Sequence, residues 1–176
     1  SDVSRYLGAL SPEGQYCIRI RDNSGEQSAM TSPVYNLSTY NTVNVQFMFR
    51  ADGMEAGEDF WLQYYNGSTW TTAATFIAGT NFVNNQVYTA TITITGALSN
   101  VSRFKFQCDA SENDDNINID AVVITASAAS GLISNGMTIT EVAGLNTISE
   151  QHLEGITLYP NPVEDIVKII SSAEII

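Results

Sequence analysis

Between turn-rich breaks this chain alternates apolar and polar residues with a period of two, and that pattern decides most of what it can fold into. Successive side chains of a β-strand point to opposite faces, so strict alternation marks a strand with one dry face and one wet face. Eight such segments stand out: YCIRIRD (16–22), TSPVYNL (31–37), TVNVQFMFR (42–50), DFWLQYYN (59–66), TWTTAATFI (69–77), VYTATITI (87–94), RFKFQCD (103–109) and NINIDAVVIT (116–125). They are rich in Val, Ile, Thr, Phe and Tyr, and Asn, Gly, Asp and Ser separate them. No stretch before residue 127 carries the 3.6-residue period of an amphipathic helix. The expected fold class is all-β, an eight-stranded jelly-roll β-sandwich. Parity assigns the inward side chains: Ile18 and Ile20; Val43, Val45, Phe47 and Phe49; Phe60, Leu62 and Tyr64; Phe104 and Phe106; Ile117 and Ile119. A module of about 125 residues buries roughly two-thirds of the surface its unfolded chain exposes, enough for one core.

In a jelly roll the first, eighth, third and sixth strands share one sheet, and the second, seventh, fourth and fifth share the other. One end of the sandwich then collects the end of the first strand (Asp22, Asn23), the loop with Asp52, Glu55, Glu58 and Asp59, and the loop with Asp109, Glu112, Asn113, Asp114 and Asp115. CDASENDDNINID (108–120) alone packs five carboxylates into thirteen positions. Carboxylates this dense repel one another unless a cation or an Arg cluster is present. A hard divalent ion suits them, since Ca²⁺ takes six to eight oxygens at about 2.3–2.6 Å. The expectation is a structural calcium ion held chiefly by Asp22, Asp59 and Asp109, with Glu58 and Asp120 next, while Glu112, Asp114 and Asp115 face water. The spacing is not that of an EF-hand loop, and solvated acidic turns would show the same composition.

With Phe60, Leu62 and Tyr64 inside, Trp61, Gln63 and Tyr65 point outward; with Phe104 and Phe106 inside, so do Arg103, Lys105 and Gln107. The jelly-roll order makes these strands neighbours. Aromatic rings stack on the apolar faces of sugars, amides bond hydroxyls, and Arg or Lys pairs with carboxylate or sulfate. Four of the seven basic residues, Arg19, Arg21, Arg103 and Lys105, occupy outward strand positions, which favours an anionic glycan. Ordinary cross-strand pairing, or docking of a neighbouring domain, uses the same residue types.

The balance of 19 acidic against 7 basic residues, a net charge of −12, argues against nucleic acid and anionic membrane surfaces as partners. No apolar run is long enough to span a bilayer. Catalysis finds no zinc, nucleophile-elbow or phosphate-loop motif, and the single His152 falls in a polar stretch. Glu55, Glu58 and Asp59 would supply a carboxylate pair, but they suit ion binding better, so the chain reads as non-enzymatic. Cys17 and Cys108 fall some five residues apart along the strand direction, roughly 17 Å, too far for a bridge; Cys108 is expected buried and free. NLS, NGS and NVS match the glycosylation pattern.

After residue 126 the alternation fades. SAASGLISNGMTITEVAGLNTISEQHLEG (127–155) reads as a linker between the module (1–126) and a different segment (156–176). There, LYPNPVEDIVKI, with Tyr159, Pro160, Asn161 and Pro162 in order, resembles the opening of the C-terminal sorting domain of cargo of the Bacteroidetes type IX secretion system. The resemblance implies export across an outer membrane, a secreted or cell-surface location and recognition by the secretion machinery, with any export signal lying upstream. GMEAGEDFWLQYYNGSTWTTAATF and RFKFQCDASENDDNINIDAVVIT, within about 15–125, resemble MAM-like and carbohydrate-binding-module-like jelly rolls of secreted bacterial proteases and polysaccharide-degrading enzymes. That likeness implies a structural Ca²⁺ and a non-catalytic module beside the catalytic domain of a parent protein. Two roles follow: a carbohydrate-binding module, expected for an anionic polysaccharide, or an interaction module that stabilises a secreted protease or adhesin without binding sugar.

Overall fold

The computed structural model describes residues 2–21, 28–112, 114–128, 136–141 and 169–170. Asp22, Asn113, His152 and the Tyr-Pro-Asn-Pro motif lie outside the described residues. Eleven strands follow in chain order: β1 (Val3–Leu7), β2 (Tyr16–Arg21), β3 (Ala29–Thr31), β4 (Thr42–Asp52), β5 (Asp59–Tyr65), β6 (Trp70–Ile77), β7 (Val87–Thr95), β8 (Arg103–Asp109), β9 (Asn116–Ser127), β10 (Gly136–Glu141) and β11 (Ile169–Ile170). None of the described residues forms a helix long and apolar enough to cross a membrane.

Two sheets form a sandwich. Sheet I runs β1-β2-β9-β4-β7-β10, with β11 added in parallel to β9, and sheet II runs β3-β8-β5-β6. All other pairings are antiparallel. The eight expected strands thus occupy the jelly-roll order. Three further strands join them. β1 extends sheet I beyond β2, and β10 pairs with β7 from within the 127–155 stretch expected to be linker. Its Met137 and Ile139 are too short an alternation to stand out in sequence.

The second expected strand, 31–37, is instead the short β3, ending before Pro33. Proline has no N–H to give the ladder; beyond it an isolated bridge joins Tyr35 to Ser102 and Leu37 N donates to Ser99 O at 2.9 Å, without a continuous ladder.

The two phenylalanines of β4 join the sheets. Phe47 meets Phe106 at 4.7 Å and Phe76 at 5.6 Å between ring centroids, both edge to face. Phe49 meets Phe60 at 5.0 Å, Phe76 at 5.4 Å and Phe82 at 5.6 Å, also edge to face, and stacks on Tyr88 at 5.2 Å. Phe60 and Phe76 stack at 4.5 Å. Edge-to-face and offset contacts at these separations are the favourable arrangements of aromatic quadrupoles.

Two irregularities re-aim side chains. In β9, Ala121 adopts φ +47°, and the register against β4 slips between Gln46 and Met48. Ile117 and Ile119 face the core before this bulge, and Ile124 and Ala126 after it. In β6 an extra residue, Ala73, sits opposite the Leu62/Gln63 step of β5. Ala74 and Phe76 therefore face the core while Thr72 and Trp70 face outward, the usual effect of one inserted residue in a ladder.

Candidate functional site: the outer face of sheet II

Because Phe60, Leu62, Tyr64, Phe104, Phe106 and Cys108 all enter the core, the alternate residues of β5 and β8 share the opposite face. Their register pairs Tyr65 with Arg103, Gln63 with Lys105, Trp61 with Gln107, and Asp59 with Asp109. The six residues expected to bind glycan are thus brought together, as three adjacent cross-strand pairs. The bulge at Ala73 adds Trp70, placed opposite Tyr65 with ring centroids 5.3 Å apart.

Lys105 is not a free surface cation. It is only 3% exposed, and its Nζ lies 4.8 Å from the centre of the Trp70 ring, a distance at which ammonium and indole attract. Its charge holds Trp70 down over the sheet. Arg103 is exposed, while Trp61, Gln63, Tyr65, Trp70 and Gln107 are half-buried. Gln63 Nε2 donates to Thr72 Oγ1 at 3.4 Å, whereas Gln63 Oε1 is buried without a donor among the described residues.

The expected calcium ligands do not gather at one point. Asp22 lies outside the described residues. Asp59 and Asp109 are directly opposite each other, but strand parity turns them onto the outer face of sheet II. Burial pushes the Asp59 carboxyl above its ordinary value, a hydrogen bond with the Trp61 side chain opposes this, and the Asp109 charge adds to it. Asp120 lies on the outer side of sheet I beside the β9 bulge. Its Oδ2 accepts from Glu13 N at 3.1 Å and Ser11 Oγ at 3.3 Å, and its Oδ1 from Ala121 N at 2.8 Å. It tethers the β1–β2 loop, which also accepts an Arg50 Nη1 donor at Ala9 O (2.9 Å).

A different trio converges at the acidic end: Glu55, Glu58 and Asp115 present oxygens all within 4.8 Å of one another. Asp115, expected in water, is 2% exposed. Glu58 Oε1 accepts from Ser111 N at 2.6 Å and Oε2 from Glu55 N at 2.8 Å, tying the β4–β5 loop to the β8–β9 loop. Asp115 Oδ2 accepts from Glu112 N at 2.8 Å. Gly53 turns the chain towards this trio at φ +86°; a Cβ there would come within 2.8 Å of Asp115 Oδ1. Sharing a hydrogen bond with Glu58, and facing the charges of Asp115 and Glu58, Glu55 is held above its ordinary value. Burial, then neighbouring carboxylates, raise Asp115. For Glu58 burial acts upward, but the bonds from Ser111 and Glu55 outweigh it and the net direction is down.

Cys17 shares the outward parity of Arg19 yet is buried, its Sγ 3.6 Å from Asn118 Oδ1. Cys108 is fully buried in the core, and both thiols are free. Arg19 lies over Tyr6, its guanidinium carbon 4.7 Å from the ring centre.

No family model matches this chain, and no curated protein matches it. Solved structures of similar shape include the C-terminal CBM6 of LamC, a marine laminarinase from Zobellia galactanivorans, at 17% identity over 70% of this chain and 86% of that one (TM-score 0.44). A CBM4 module is 12% identical over 64% and 83% (TM-score 0.42). The N-terminal cellulose-binding domain of Cellulomonas fimi β-1,4-glucanase C is 12% identical over 65% and 79% (TM-score 0.44).

Proposed function

We propose that this chain is a non-catalytic carbohydrate-binding module of a secreted enzyme, taking a polysaccharide that carries anionic groups across the outer face of sheet II. The observation that supports it is the continuous placement of Trp61, Tyr65 and Trp70 beside Gln63, Gln107 and the exposed Arg103 on one sheet face. The rings offer stacking surface, the amides pair with hydroxyls, and Arg103 pairs with an anionic substituent. In mechanism a weak second contact raises the effective concentration of an attached catalytic domain at an insoluble polymer. The same proposal includes the 156–176 segment as the start of a sorting domain read by a secretion machinery, and the part of 127–155 that follows β10 as the connection to it.

A calcium ion is part of the proposal, relocated to Glu55, Glu58 and Asp115. These three fit it: their oxygens are close enough to share one cation, and the neighbouring carboxylate charges, which add to the rise of Glu55 after its hydrogen bond with Glu58 and to that of Asp115 after burial, are what a cation offsets. Bound there, the ion would supply charge neutralisation to two loops at the sandwich end and no chemistry to a substrate.

The test is affinity electrophoresis through gels of alginate, carrageenan, fucoidan, pectin, xylan and chitin, with Trp61→Ala and Trp70→Ala beside the wild type. Retardation that both variants lose is expected. No retardation on any polymer, with the protein folded, would assign the face to docking against a neighbouring domain. For calcium, the unfolding midpoint is compared in Ca²⁺ and in chelator. A free-ion concentration a hundredfold above Kd stabilises by about 2.7 kcal/mol, and Asp115→Asn should abolish the gain; equal midpoints for the wild type would remove calcium from the proposal.

A further inference from the structure

The charges on the outer face of sheet II are sorted along the strands. Arg103 and Lys105 stand at one end; Asp59 and Asp109 stand opposite each other at the other, with only the Trp61/Gln107 pair between the two groups. At the rise of a β-strand, six residues separate Arg103 from Asp109, about 20 Å. Lys105 is buried under Trp70, so Arg103 is the exposed cation of this row. The two aspartates lie about 13 Å from the Lys105 row, beyond the screening length of about 8 Å at physiological salt. Like charges directly across a ladder are unfavourable, and Asp59 Oδ1 is buried without a donor among the described residues.

We propose, resting on the carbohydrate-binding function above, that this face selects a polysaccharide whose oxyanion groups are sparse, and rejects a uniformly charged one. One carboxylate or sulfate pairs with Arg103, whose planar fork matches two oxygens at once. Uncharged sugars run from there over Trp61 to the aspartates, which accept hydrogen bonds from hydroxyls. A second anionic group placed at that end meets the carboxylates of Asp59 and Asp109, about 13 Å along the strands from Lys105. The net charge of −12 extends the same repulsion to charged chain outside the face.

The experiment uses two series of fixed backbone and graded charge: galacturonans from fully methyl-esterified to fully de-esterified, for carboxylate, and celluloses of graded sulfation, for sulfate. Affinity electrophoresis is run in chelator so that calcium cannot bridge polymer to protein. The expected result is tightest binding at intermediate charge density, by up to about fivefold over either extreme, the range of one exposed charge pair. The series with the stronger maximum identifies the oxyanion. Arg103→Gln should bring the partly charged member to the level of the neutral one. Asp109→Asn, and separately Asp59→Asn, should raise affinity for the fully charged member, each variant first shown to unfold with a wild-type-like transition. Affinity that changes monotonically with charge density, in either direction, overturns the selection for sparse charge and leaves carbohydrate binding standing. Retardation by no member of either series, and by none of the six polymers above, overturns carbohydrate binding itself.

Discussion

Replacing Phe49 by alanine tests how the two sheets are held together. The side chain is fully buried, and its ring contacts Phe47, Phe60, Phe76, Phe82 and Tyr88, so it touches both sheets at once. Phe→Ala in a core costs about 3–5 kcal/mol, more where the cavity cannot collapse, and well-oriented aromatic pairs contribute about 0.5–1.5 kcal/mol each beyond area. Rigid strands on either side leave little room for collapse, so the expected loss is at the upper end, about 4.5 kcal/mol. An unfolding entropy of about 2.1 cal/mol/K per residue gives about 0.26 kcal/mol/K for a module of about 125 residues, hence a fall of about 17 °C in Tm. Urea denaturation followed by Trp61 and Trp70 fluorescence, with calorimetry alongside, measures both quantities. Val83→Ala serves as control, since Val83 is 53% exposed. A loss below about 1.5 kcal/mol, the range of an Ile→Val trim, or one equal to the Val83 control, would refute the claim that Phe49 joins the sheets.

Other outcomes follow from single positions. Gly53→Ala puts a Cβ against Asp115 at a positive φ and should destabilise by about 2 kcal/mol, read from the urea midpoint; a change within error would mean that the β4–β5 turn yields freely. Burial pushes the Cys17 thiol up to about 11 and the Cys108 thiol up to about 12. Because the thiolate is the reactive form, neither should react with a disulfide reagent in the native protein at pH 8, and both should react in guanidinium; fast labelling of native protein would contradict their burial. Burial likewise holds Asp120 above its ordinary 3.8, against the bonds from Ala121, Glu13 and Ser11, with the Glu13 charge adding to the rise. Between that value and the raised one, the folded state binds more protons than the unfolded state. Stability therefore falls as pH rises through the raised pKa and levels above it. Urea midpoints measured from pH 4 to 8 should decline across the acid side, less steeply in Asp120→Asn; equal slopes would show that Asp120 does not contribute.

Much of this architecture was legible in the alternation itself. Phe60, Leu62 and Tyr64, Phe104 and Phe106, and Val43 through Phe49 enter the core where parity puts them, because a period-two pattern leaves a half-buried strand only one favourable orientation. From those faces, and from the jelly-roll order of the eight strands, the neighbouring of Trp61, Gln63 and Tyr65 with Arg103, Lys105 and Gln107 followed. Parity also carried one signal that the placement of the acidic loops obscured: Asp59 and Asp109 share the side of Trp61 and Gln107, and so belong to the sheet face.

Where alternation breaks, only the tertiary structure decides. Trp70 shares the parity of Phe76, and plain alternation would bury it; the extra residue at Ala73 turns it outward onto Lys105. A bulge is a property of the ladder between two strands, and neither strand announces it alone. The burial of Lys105 arises in the same way, from a ring supplied by another strand. At the acidic end, thirteen residues rich in carboxylates say that charge gathers but not which oxygens meet. Glu55, Glu58 and Asp115 do so because Ser111 N and Glu55 N hold Glu58 between the loops, and Gly53 turns the chain towards Asp115. Strand pattern is a local property that sequence records directly, whereas these sites depend on register and on loop hydrogen bonds between residues far apart in the chain, which exist only once the sandwich has closed.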